Sequence, residues 1–368
     1  MTSATLRLSC TASLSLDKDP AVLPLAQRPL LVIYTGGTLG MVSSPRGLVP
    51  GNDFEARLRQ ALDTLPPARR QTLSEFTFVE TPHPIDSSAA TPATWAQLAR
   101  MIAERHQDHS GIVILHGTDT LAWTASSLAY QLQGIALPVV VTGAMQPLEA
   151  VDSDALDNIE AALRFAAHPD LQEVALCFAG KLMRGVRSRK WHTRDRDAFS
   201  SPNYPLLGEV VSHQAVIYRN RGLAVQQRGA PRFELLDYSG QGASVVRVTL
   251  WPGIAAWQIA AWLEQPQVRG ALLEVWGGGN IPESPALLDV LAQATGEGKL
   301  IAAISQCPHG HIEMSDYAAG QGLAAAGVLS GEAMTPEAAM TKLIHLLAQP
   351  LDDQDRRQRF MTPLAGER

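Results

Sequence analysis

Short apolar segments that alternate with helical patterns are the feature of this sequence that most constrains its fold. Each segment is too short to be a buried helix, is rich in β-branched residues and is bounded by turn residues. Residues 120–133 have helical spacing, and an apolar stripe that begins after Asp154 predicts an amphipathic helix. Strands that alternate with helices indicate a parallel sheet with right-handed crossovers. The predicted strands are Leu30–Tyr34, Gly111–His116, Leu137–Val141 and Val174–Phe178.

The stretch 200–245 interrupts this alternation, because it contains turn residues and no long helical pattern. We interpret it as a hairpin and a linker. After it the alternation resumes, and the predicted elements are strand Val245–Leu250, helix Ala255–Glu264, strand Ala271–Trp276, helix Ser284–Ala294, strand Leu300–Gln306 and helix Thr335–Ala348. Three Ser/Thr-Pro pairs are typical helix starts, with a cap followed by proline: Thr91-Pro92, Ser284-Pro285 and Thr335-Pro336.

These patterns predict an α/β protein of two domains. The larger N-terminal domain, built on a parallel sheet, is expected over residues 30–210 and a linker hairpin over 211–244. A smaller, flavodoxin-like C-terminal α/β domain is expected over 245–368. The first 29 residues lack periodicity and are rich in Ser and Thr, so we expect a poorly ordered tail.

Composition excludes several classes of protein. Hydrophobic residues make up 46% of the 368 residues and charged residues 18%, as in a globular chain. The net charge of -6 argues against a nucleic-acid binder, and no apolar run approaches the roughly 18 residues that span a membrane. The three cysteines (Cys10, Cys177, Cys307) are far apart and odd in number, and the first residues lack a secretory apolar core. We therefore expect a cytoplasmic protein.

Two Gly-Thr segments follow predicted strands directly. The first, Thr35-Gly-Gly-Thr38, matches neither a P-loop nor a dinucleotide fingerprint, although a plain tight turn remains an alternative. The second, His116-Gly-Thr-Asp-Thr120, offers Thr118 and Asp119 at a helix start, where the alternative role is an ordinary helix cap. Ligands of α/β sheets bind at the carboxyl ends of strands, so two hydroxyl-bearing strand ends in one sheet indicate a site.

Two further segments carry candidate chemistry. The basic run from Arg184 to Arg194 contains Lys190, and it is either a solvated loop or the source of a lysine base, because positive neighbours and burial lower a lysine pKa. Cys307-Pro-His-Gly-His311 has no matching second ligand pair, so we interpret it as a loop and expect no metal site. A GxSxG serine-hydrolase motif is absent.

Together, several motifs resemble the bacterial type I, cytoplasmic L-asparaginases, a resemblance that runs from about Leu30 to Gln349. They are YTGGTLGM, DSS, HGTDTL, TGAMQPL, RSRKWHT…DAFSSPNYPLLGEV and TLWPG…GGGNIP, in the order and spacing of that family. The resemblance implies hydrolysis of L-asparagine to L-aspartate and ammonia without metal or cofactor, in a homodimer or homotetramer. No nucleic-acid or membrane partner is implied.

The resemblance also assigns roles to residues. Thr38 matches the nucleophile, and Thr118, Asp119 and Lys190 match a relay in which Asp119 orients a lysine that deprotonates a threonine. Asp86 and Ser87 match positions that hold the α-amino and α-carboxylate groups of the substrate, a binding role that Thr118 and Asp119 share. Which threonine attacks first is open. Backbone N–H groups near Thr118 are candidates for stabilising the oxyanion.

The sequence departs from the family pattern at three positions. A lid tyrosine ten residues after the nucleophile is Leu48, inside a segment (41–52) that we predict to be a mobile loop. A threonine before the catalytic lysine is Arg189, and an arginine of an allosteric pocket near the cysteine that matches Cys307 aligns with Glu274. A carboxylate at that position repels the carboxylate of an effector. We therefore expect little activation by asparagine.

Three alternative functions remain open. One is the asparaginase-like subunit of a tRNA-dependent amidotransferase, which carries an extra N-terminal barrel where this sequence has 29 unpatterned residues. Another is the lysophospholipase activity of animal relatives that carry an added ankyrin array. The third is a catalytically silent protein that binds asparagine and regulates a partner. The presence of every chemical residue of the family favours the hydrolase.

Overall fold

The fold was analysed in a computed structural model, which describes residue 24 and residues 27–45, 47–82, 84–314 and 318–368. Of the predicted tail, residues 1–29, all but residue 24 and residues 27–29 lie outside the described residues. No helix within the described ranges is long and apolar enough to cross a membrane.

The described chain alternates strands and helices along most of its length. In chain order the strands are β1 (Leu30–Tyr34), β2 (Met41–Ser44), β3 (Gly47–Pro50), β4 (Phe76–Glu80), β5 (Gly111–Leu115), β6 (Val139–Thr142), β7 (Val174–Phe178), β8 (Lys181–Arg184), β9 (Arg189–Lys190), β10 (Phe199–Ser200), β11 (Gly208–Val211), β12 (Gln214–Ile217), β13 (Val245–Thr249), β14 (Gly270–Val275), β15 (Leu300–Ser305) and β16 (Leu329–Ser330). The helices are α1 (Phe54–Asp63), α2 (Pro67–Arg70), α3 (Pro92–Arg105), α4 (Leu121–Gln131), α5 (Ala155–Ala166), α6 (Ala256–Leu263), α7 (Pro285–Gly296), α8 (Ala318–Ala325), α9 (Pro336–Leu347) and α10 (Asp353–Met361).

The larger sheet is mixed rather than wholly parallel. Its eight strands have the order β12-β11-β8-β7-β6-β5-β1-β4, and the five from β7 to β4 are parallel. A two-residue turn, Ala179-Gly180, has positive φ at both positions and joins β7 to an antiparallel β8. Such turns match the twist of paired strands. The antiparallel edge, which strand-helix alternation does not predict, comes from this turn.

Alternating residues of β1 enter two different cores. Leu31 and Ile33 pack with α3 and α4 on one face of the sheet, whereas Leu30 and Val32 pack with α1 and α5 on the other. All five residues of β1 are buried. The N-terminal domain is therefore three layers deep, and the carboxyl end of β1 opens between two neighbours, β4 and β5.

The C-terminal domain is a parallel sheet, β13-β14-β15-β16, with α6, α7 and α8 packed against its own core. Helix α9 is buried along its whole length, because it lies between α4 of the larger domain and strands β13 to β15. One continuous apolar core passes through α9 from one domain to the other. Two of its buried polar side chains have partners, since Lys342 Nζ donates to the Glu367 carboxylate and His345 Nε2 lies 2.7 Å from Glu234 Oε2.

Sequence patterns located most of the regular elements. β1 and Val174–Phe178 have the predicted bounds, and the three Ser/Thr-Pro pairs each open a helix. Ser284 and Thr335 accept a hydrogen bond from the backbone N–H three residues later, as caps do. The predicted interruption at 200–245 contains the β11–β12 hairpin and short helical turns.

The segment 41–52, predicted to be a mobile loop, contains regular structure that its sequence pattern did not indicate. Strands β2 and β3 form an antiparallel hairpin, with Ser43 opposite Leu48. β3 begins at Gly47, which has φ 98°, a conformation that glycine adopts without strain. The hairpin was missed because serine, proline and glycine obscure the alternation of its few apolar residues.

Candidate active site

The Gly36-Gly37-Thr38 segment turns sharply at the carboxyl end of β1. Gly36 has φ 105° and Gly37 φ 92°, and Thr38 begins a short 3-10 turn, Thr38–Gly40. The side chain of Thr38 is half-buried. Within the described part of the chain its hydroxyl has no hydrogen-bond partner, so it is free to meet a ligand.

The two glycines allow two other segments to approach the threonine closely. A Cβ on Gly37 would lie 2.5 Å from the Cα of Gly117, and one on Gly36 would lie 2.4 Å from the Ile85 carbonyl oxygen. Neither distance is possible for a real side chain. The segments that carry Thr38, Thr118 and Ser87 therefore meet through bare backbone, as the two Gly-Thr strand ends predicted.

His116 holds the second strand end in place. Its Nδ1 lies 2.7 Å from the Gly117 carbonyl, and its Nε2 lies 3.1 Å from Thr124 Oγ1. A carbonyl can only accept, so Nδ1 carries the proton and Nε2 accepts from the Thr124 hydroxyl. Burial lowers the pKa of His116 and keeps the ring neutral. The ring therefore fixes the Gly117-Thr118 peptide rather than exchanging protons.

Lys190 reaches the second strand end from β9. Its Nζ lies 2.8 Å from Thr118 Oγ1 and 2.7 Å from Asp119 Oδ1. Thr118 is buried, while the Asp119 side chain is 62% exposed. An ion pair so open to water adds little to stability. The ion pair instead positions the Lys190 amine against the Thr118 hydroxyl.

Ser87 ties a third segment to the site. Its hydroxyl accepts from the Asp119 N–H at 3.2 Å, and its carbonyl accepts from the Thr120 hydroxyl at 2.8 Å. The Ser87 hydroxyl is buried and keeps its own proton available for an acceptor. Asp86, by contrast, is exposed, and its Oδ1 accepts from the Ser88 N–H.

Backbone donors near Thr118 are only partly free. The Asp119 N–H is already engaged by Ser87. The Thr118 N–H makes no hydrogen bond to any described residue, and it is the remaining candidate for an oxyanion donor at this strand end. Helix α4 begins at Leu121, later than the predicted start, so the loop rather than the helix presents this donor.

Two residues near the entrance differ in what they can contribute. Tyr34 stacks on Phe54 at 4.2 Å, and burial raises the pKa of its hydroxyl to about 12. The hydroxyl packs against Gly40, where a Cβ would lie 1.8 Å from it. Tyr34 is therefore fixed beneath the site. Leu48 lies on the β2–β3 hairpin and is 49% exposed.

The departures from the family pattern have other partners. Glu274 is buried and accepts from Arg247 Nη2 at 2.8 Å and from the Thr249 hydroxyl. Arg189 points to the C-terminal domain, with its Nε 3.8 Å from Glu337 Oε1. Cys307 is an exposed free thiol. No group of three or more potential metal ligands (His, Cys, Asp, Glu) occurs among the described residues.

Sequence reasoning located the central side chains but missed their supports. Thr38, Thr118, Asp119, Lys190 and Ser87 lie in segments that the fold brings together. The role of His116 was not predicted. His116 stands within a motif, but nothing in its local pattern shows that it contacts Gly117 and Thr124.

Comparisons with known proteins identify relatives that match nearly the whole length of this chain. The family model "Asparaginase, N-terminal" matches residues 29–222, and "Glutaminase/Asparaginase C-terminal domain" matches residues 244–361. L-asparaginase 1 of Escherichia coli (strain K12) is 38% identical over 343 residues, which cover 93% of this chain and 98% of that protein. The 60 kDa lysophospholipase of Homo sapiens is 38% identical over 359 residues, but the match covers only 61% of it.

A solved structure gives the same result. L-asparaginase I from Vibrio cholerae O1 biovar eltor superposes with a TM-score of 0.82 at 35% identity, and the match covers 93% of this chain and 99% of that one. Both domains, and the linker between them, fall within these matches. The chain therefore belongs to the asparaginase family.

Proposed function

We propose that this protein hydrolyses L-asparagine to L-aspartate and ammonia. The observation that carries the proposal is the position of the Lys190 amine, 2.8 Å from the Thr118 hydroxyl and 2.7 Å from Asp119, beside the Gly-Gly-Thr38 turn of an asparaginase-family chain. The proposal takes the substrate from the bacterial relative, L-asparaginase 1, which this chain matches over nearly all of its length.

The reaction we propose has two steps. A threonine oxygen attacks the side-chain carboxamide carbon and its proton passes to a base, which returns it to the amide nitrogen as the C–N bond breaks and ammonia leaves. Water then attacks the resulting ester, which restores the hydroxyl and releases aspartate. The Thr118 N–H is our candidate for stabilising the negative oxygen that forms in both steps.

We assign Thr38 as the nucleophile and Thr118, Asp119 and Lys190 as the relay. The half-buried hydroxyl of Thr38 supports its role, because no hydrogen bond to any described residue competes with the substrate. The contact of Lys190 with Thr118 supports a base that acts on Thr118 directly. If Thr38 attacks first, its proton must therefore reach the base through Thr118, water or the substrate.

We further propose that Ser87 and Asp86 hold the amino-acid end of the substrate. The Ser87 hydroxyl accepts from Asp119 and can donate to an α-carboxylate, and the exposed Asp86 carboxylate can pair with an α-ammonium group. Location and assembly belong to the same proposal. A cytoplasmic location and a homo-oligomer are what the resemblance to the bacterial type I enzymes implies, and the free thiols of Cys177 and Cys307 agree with the location.

Ammonia release from purified protein supplied with asparagine tests the proposed activity. We expect turnover at millimolar asparagine, and a parallel assay with glutamine gives the preference. Release from glutamine only with tRNA and a partner subunit would favour the amidotransferase alternative, and release of fatty acid from lysophospholipid the lipase alternative. Binding of asparagine without turnover would favour the regulator.

The order of attack can be tested with two variants. Thr38→Ala and Thr118→Ala are each mixed with asparagine, quenched in acid and examined by mass spectrometry for an aspartyl ester. If Thr38 attacks, Thr118→Ala should still form an ester on Thr38, slowly. An ester found on Thr118 in Thr38→Ala would contradict our assignment of the nucleophile.

A further inference from the structure

The catalytic lysine proposed above lies on a very small ribbon. β9 and β10 pair over only two residues each, with Lys190 opposite Phe199 and Arg189 opposite Ser200. Two more backbone hydrogen bonds, from Trp191 and His192 to the Ala198 carbonyl, close the ribbon. Two-stranded ribbons of this size are not stable alone in water. Other contacts must fix the position of Lys190.

Asn203, just after β10, connects this ribbon to the C-terminal domain. Its Nδ2 donates to the carbonyls of Pro308 and Ala333, at 3.3 and 3.2 Å, and its Oδ1 accepts from the Gly310 N–H at 2.9 Å. One amide group thus joins two C-terminal loops, one after β15 and one before α9. Every strong hydrogen-bonding capacity of the amide except one acceptor lone pair is in use.

The chain that enters β9 contacts the same domain, at the same open end of the ribbon. Arg187, before β9, is buried and donates to the carbonyls of Gly366 and Ala333. Arg189 faces Glu337, in the first turn of α9, at 3.8 Å. In a strand, neighbouring side chains point to opposite faces, so Arg189 meets the C-terminal domain while Lys190 meets Thr118.

Glu337 is the least satisfied group at this contact. The residue is 7% exposed, and its Oε2 has no hydrogen-bond partner among the described residues. Burial raises the pKa of the carboxyl, while Arg189 and Arg247 act in the opposite direction. A buried carboxylate oxygen without a hydrogen-bond partner lowers the stability of the fold, so Glu337 is not explained by a contribution to stability.

We propose that the C-terminal domain positions Lys190 through the β9–β10 ribbon, and that Asn203 and Glu337 are the positioning residues of this contact. The inference rests on the proposed role of Lys190. Neither residue touches the site itself. They act by holding both strands of the ribbon at its open end, so that the amine stays within hydrogen-bond distance of Thr118 and Asp119.

The test compares two ribbon variants with a matched interdomain control. Asn203→Asp keeps the shape of the side chain but places a carboxylate against two carbonyls, and Glu337→Gln removes the partner of Arg189. The control, Glu234→Gln, weakens a contact between the linker and α9 and α10 that does not involve the ribbon. We expect both ribbon variants to lower kcat about tenfold with KM within about twofold, because small displacements of a catalytic group reduce rate more than binding.

The control should lose melting temperature but keep kcat within about twofold of wild type. An unchanged kcat in both ribbon variants, or an equal fall in the control at the same loss of melting temperature, would overturn the proposal. Backbone hydrogen exchange over residues 187–203 gives a readout independent of turnover. Exchange over these residues should be faster in the ribbon variants than in wild type and unchanged in the control. This result does not depend on which substrate the enzyme hydrolyses. If wild type releases no ammonia, the proposed function fails, while the exchange data still decide whether the domain fixes the ribbon.

Discussion

The two halves of the candidate site are held by different means. The strand-end half, Thr38 and Thr118, lies on two neighbouring central strands that are buried on both faces and meet at glycine-to-glycine contact. The lysine half lies on a two-residue ribbon whose supports come from the other domain. The first half is fixed by close packing, which tolerates little change. The second depends on a few polar contacts that can loosen without unfolding the protein.

This difference separates chemical effects from effects on stability. A change in the lysine half should reduce rate while the fold survives, whereas a change in the strand-end half should reduce both. The predictions that follow test this division, and they run from the largest expected effect to the smallest.

Lys190→Met should lower kcat about 10²–10⁴-fold, because the site loses its base. The methionine side chain has a similar length and the Lys190 ion pair is open to water, so the melting temperature should change little. Lys181→Met is the matched control, since Lys181 pairs with Asp197 on the surface. It should remain fully active. A Lys190→Met protein with more than about a tenth of the wild-type rate would contradict the assignment of the base.

Gly37→Ala should destabilise the fold by about 3 kcal/mol and reduce activity together with it. The alanine Cβ meets Gly117 backbone at 2.5 Å, and the φ of 92° is strained for any side chain. Gly47→Ala has a similar φ, 98°, but nothing lies within 4 Å of its Cβ. Chemical denaturation of both variants separates strain from collision. Equal losses of unfolding free energy in the two variants would show that the close approach of the two strand ends does not contribute to stability.

The contact between the domains should weaken in acid. Burial alone would raise the pKa of Glu234, but hydrogen bonds from His345 and Arg359 hold it at about 2, against an ordinary 4.5. A carboxyl with a lowered pKa stabilises the fold above its unfolded pKa and loses that effect as pH falls from about 4.5 to 2. Burial also lowers the pKa of His345, so protonation below about 6.5 opposes folding.

We therefore expect wild type to lose its stability advantage over Glu234→Gln as the pH falls from about 4.5 to 2. Unfolding free energies of both proteins, measured at several pH values, test this. A difference between them that stays constant over this range would show that the Glu234 carboxylate does not carry the effect.

Leu48→Tyr should raise the rate on asparagine a few-fold, because a hydroxyl on the hairpin beside Thr38 can donate a hydrogen bond that leucine cannot. Leu48→Ala should mainly raise KM, through a looser cover over the site. Val211→Tyr adds a similar ring on an exposed strand, where Val211 is 51% exposed, and should leave kinetics unchanged. A neutral or harmful Leu48→Tyr would mean that the missing hydroxyl does not limit the rate.

Asparagine should cause no activation of its own hydrolysis. Glu274 carries a negative charge where the family arginine is expected, and Arg247 and Thr249 already occupy its oxygens. The rate curve should be hyperbolic, with a Hill coefficient of about one. A clearly sigmoidal curve would show that an effector site survives with other residues.

The division between the two halves also explains what sequence reasoning could predict. The strands β1 and β7 are apolar throughout and end in glycine or a tight turn, so their bounds follow from local pattern alone. The Gly-Thr segments stand directly after strands, which is enough to place Thr38 and Thr118 at one edge of the sheet. Lys190 was identified by family resemblance, because nothing in a run of basic residues marks one lysine.

The remaining features depend on residues distant in sequence. β9 and β10 form only because they pair with each other and contact the C-terminal domain. A strand of two residues is too short to show the alternating pattern by which strands are recognised in a sequence. The same holds for the environment of Glu337, whose burial against Arg189 cannot be inferred from a helix start that looks solvent-exposed. Local pattern predicts elements with many internal contacts and fails where tertiary contacts create the element.

The central position of β1 has a consequence for when activity appears during folding. β1 is bordered by β4 and β5, both of which come later in the chain. The β9–β10 ribbon, which carries Lys190, is held by contacts with loop residues that follow β15, so it can be fixed only after those residues have folded. Pairings between distant segments form slowly, since the chain must close long loops first. A folding intermediate can therefore bring Thr38 and Thr118 together while Lys190 is still unplaced. Refolding should restore the sheet before it restores turnover.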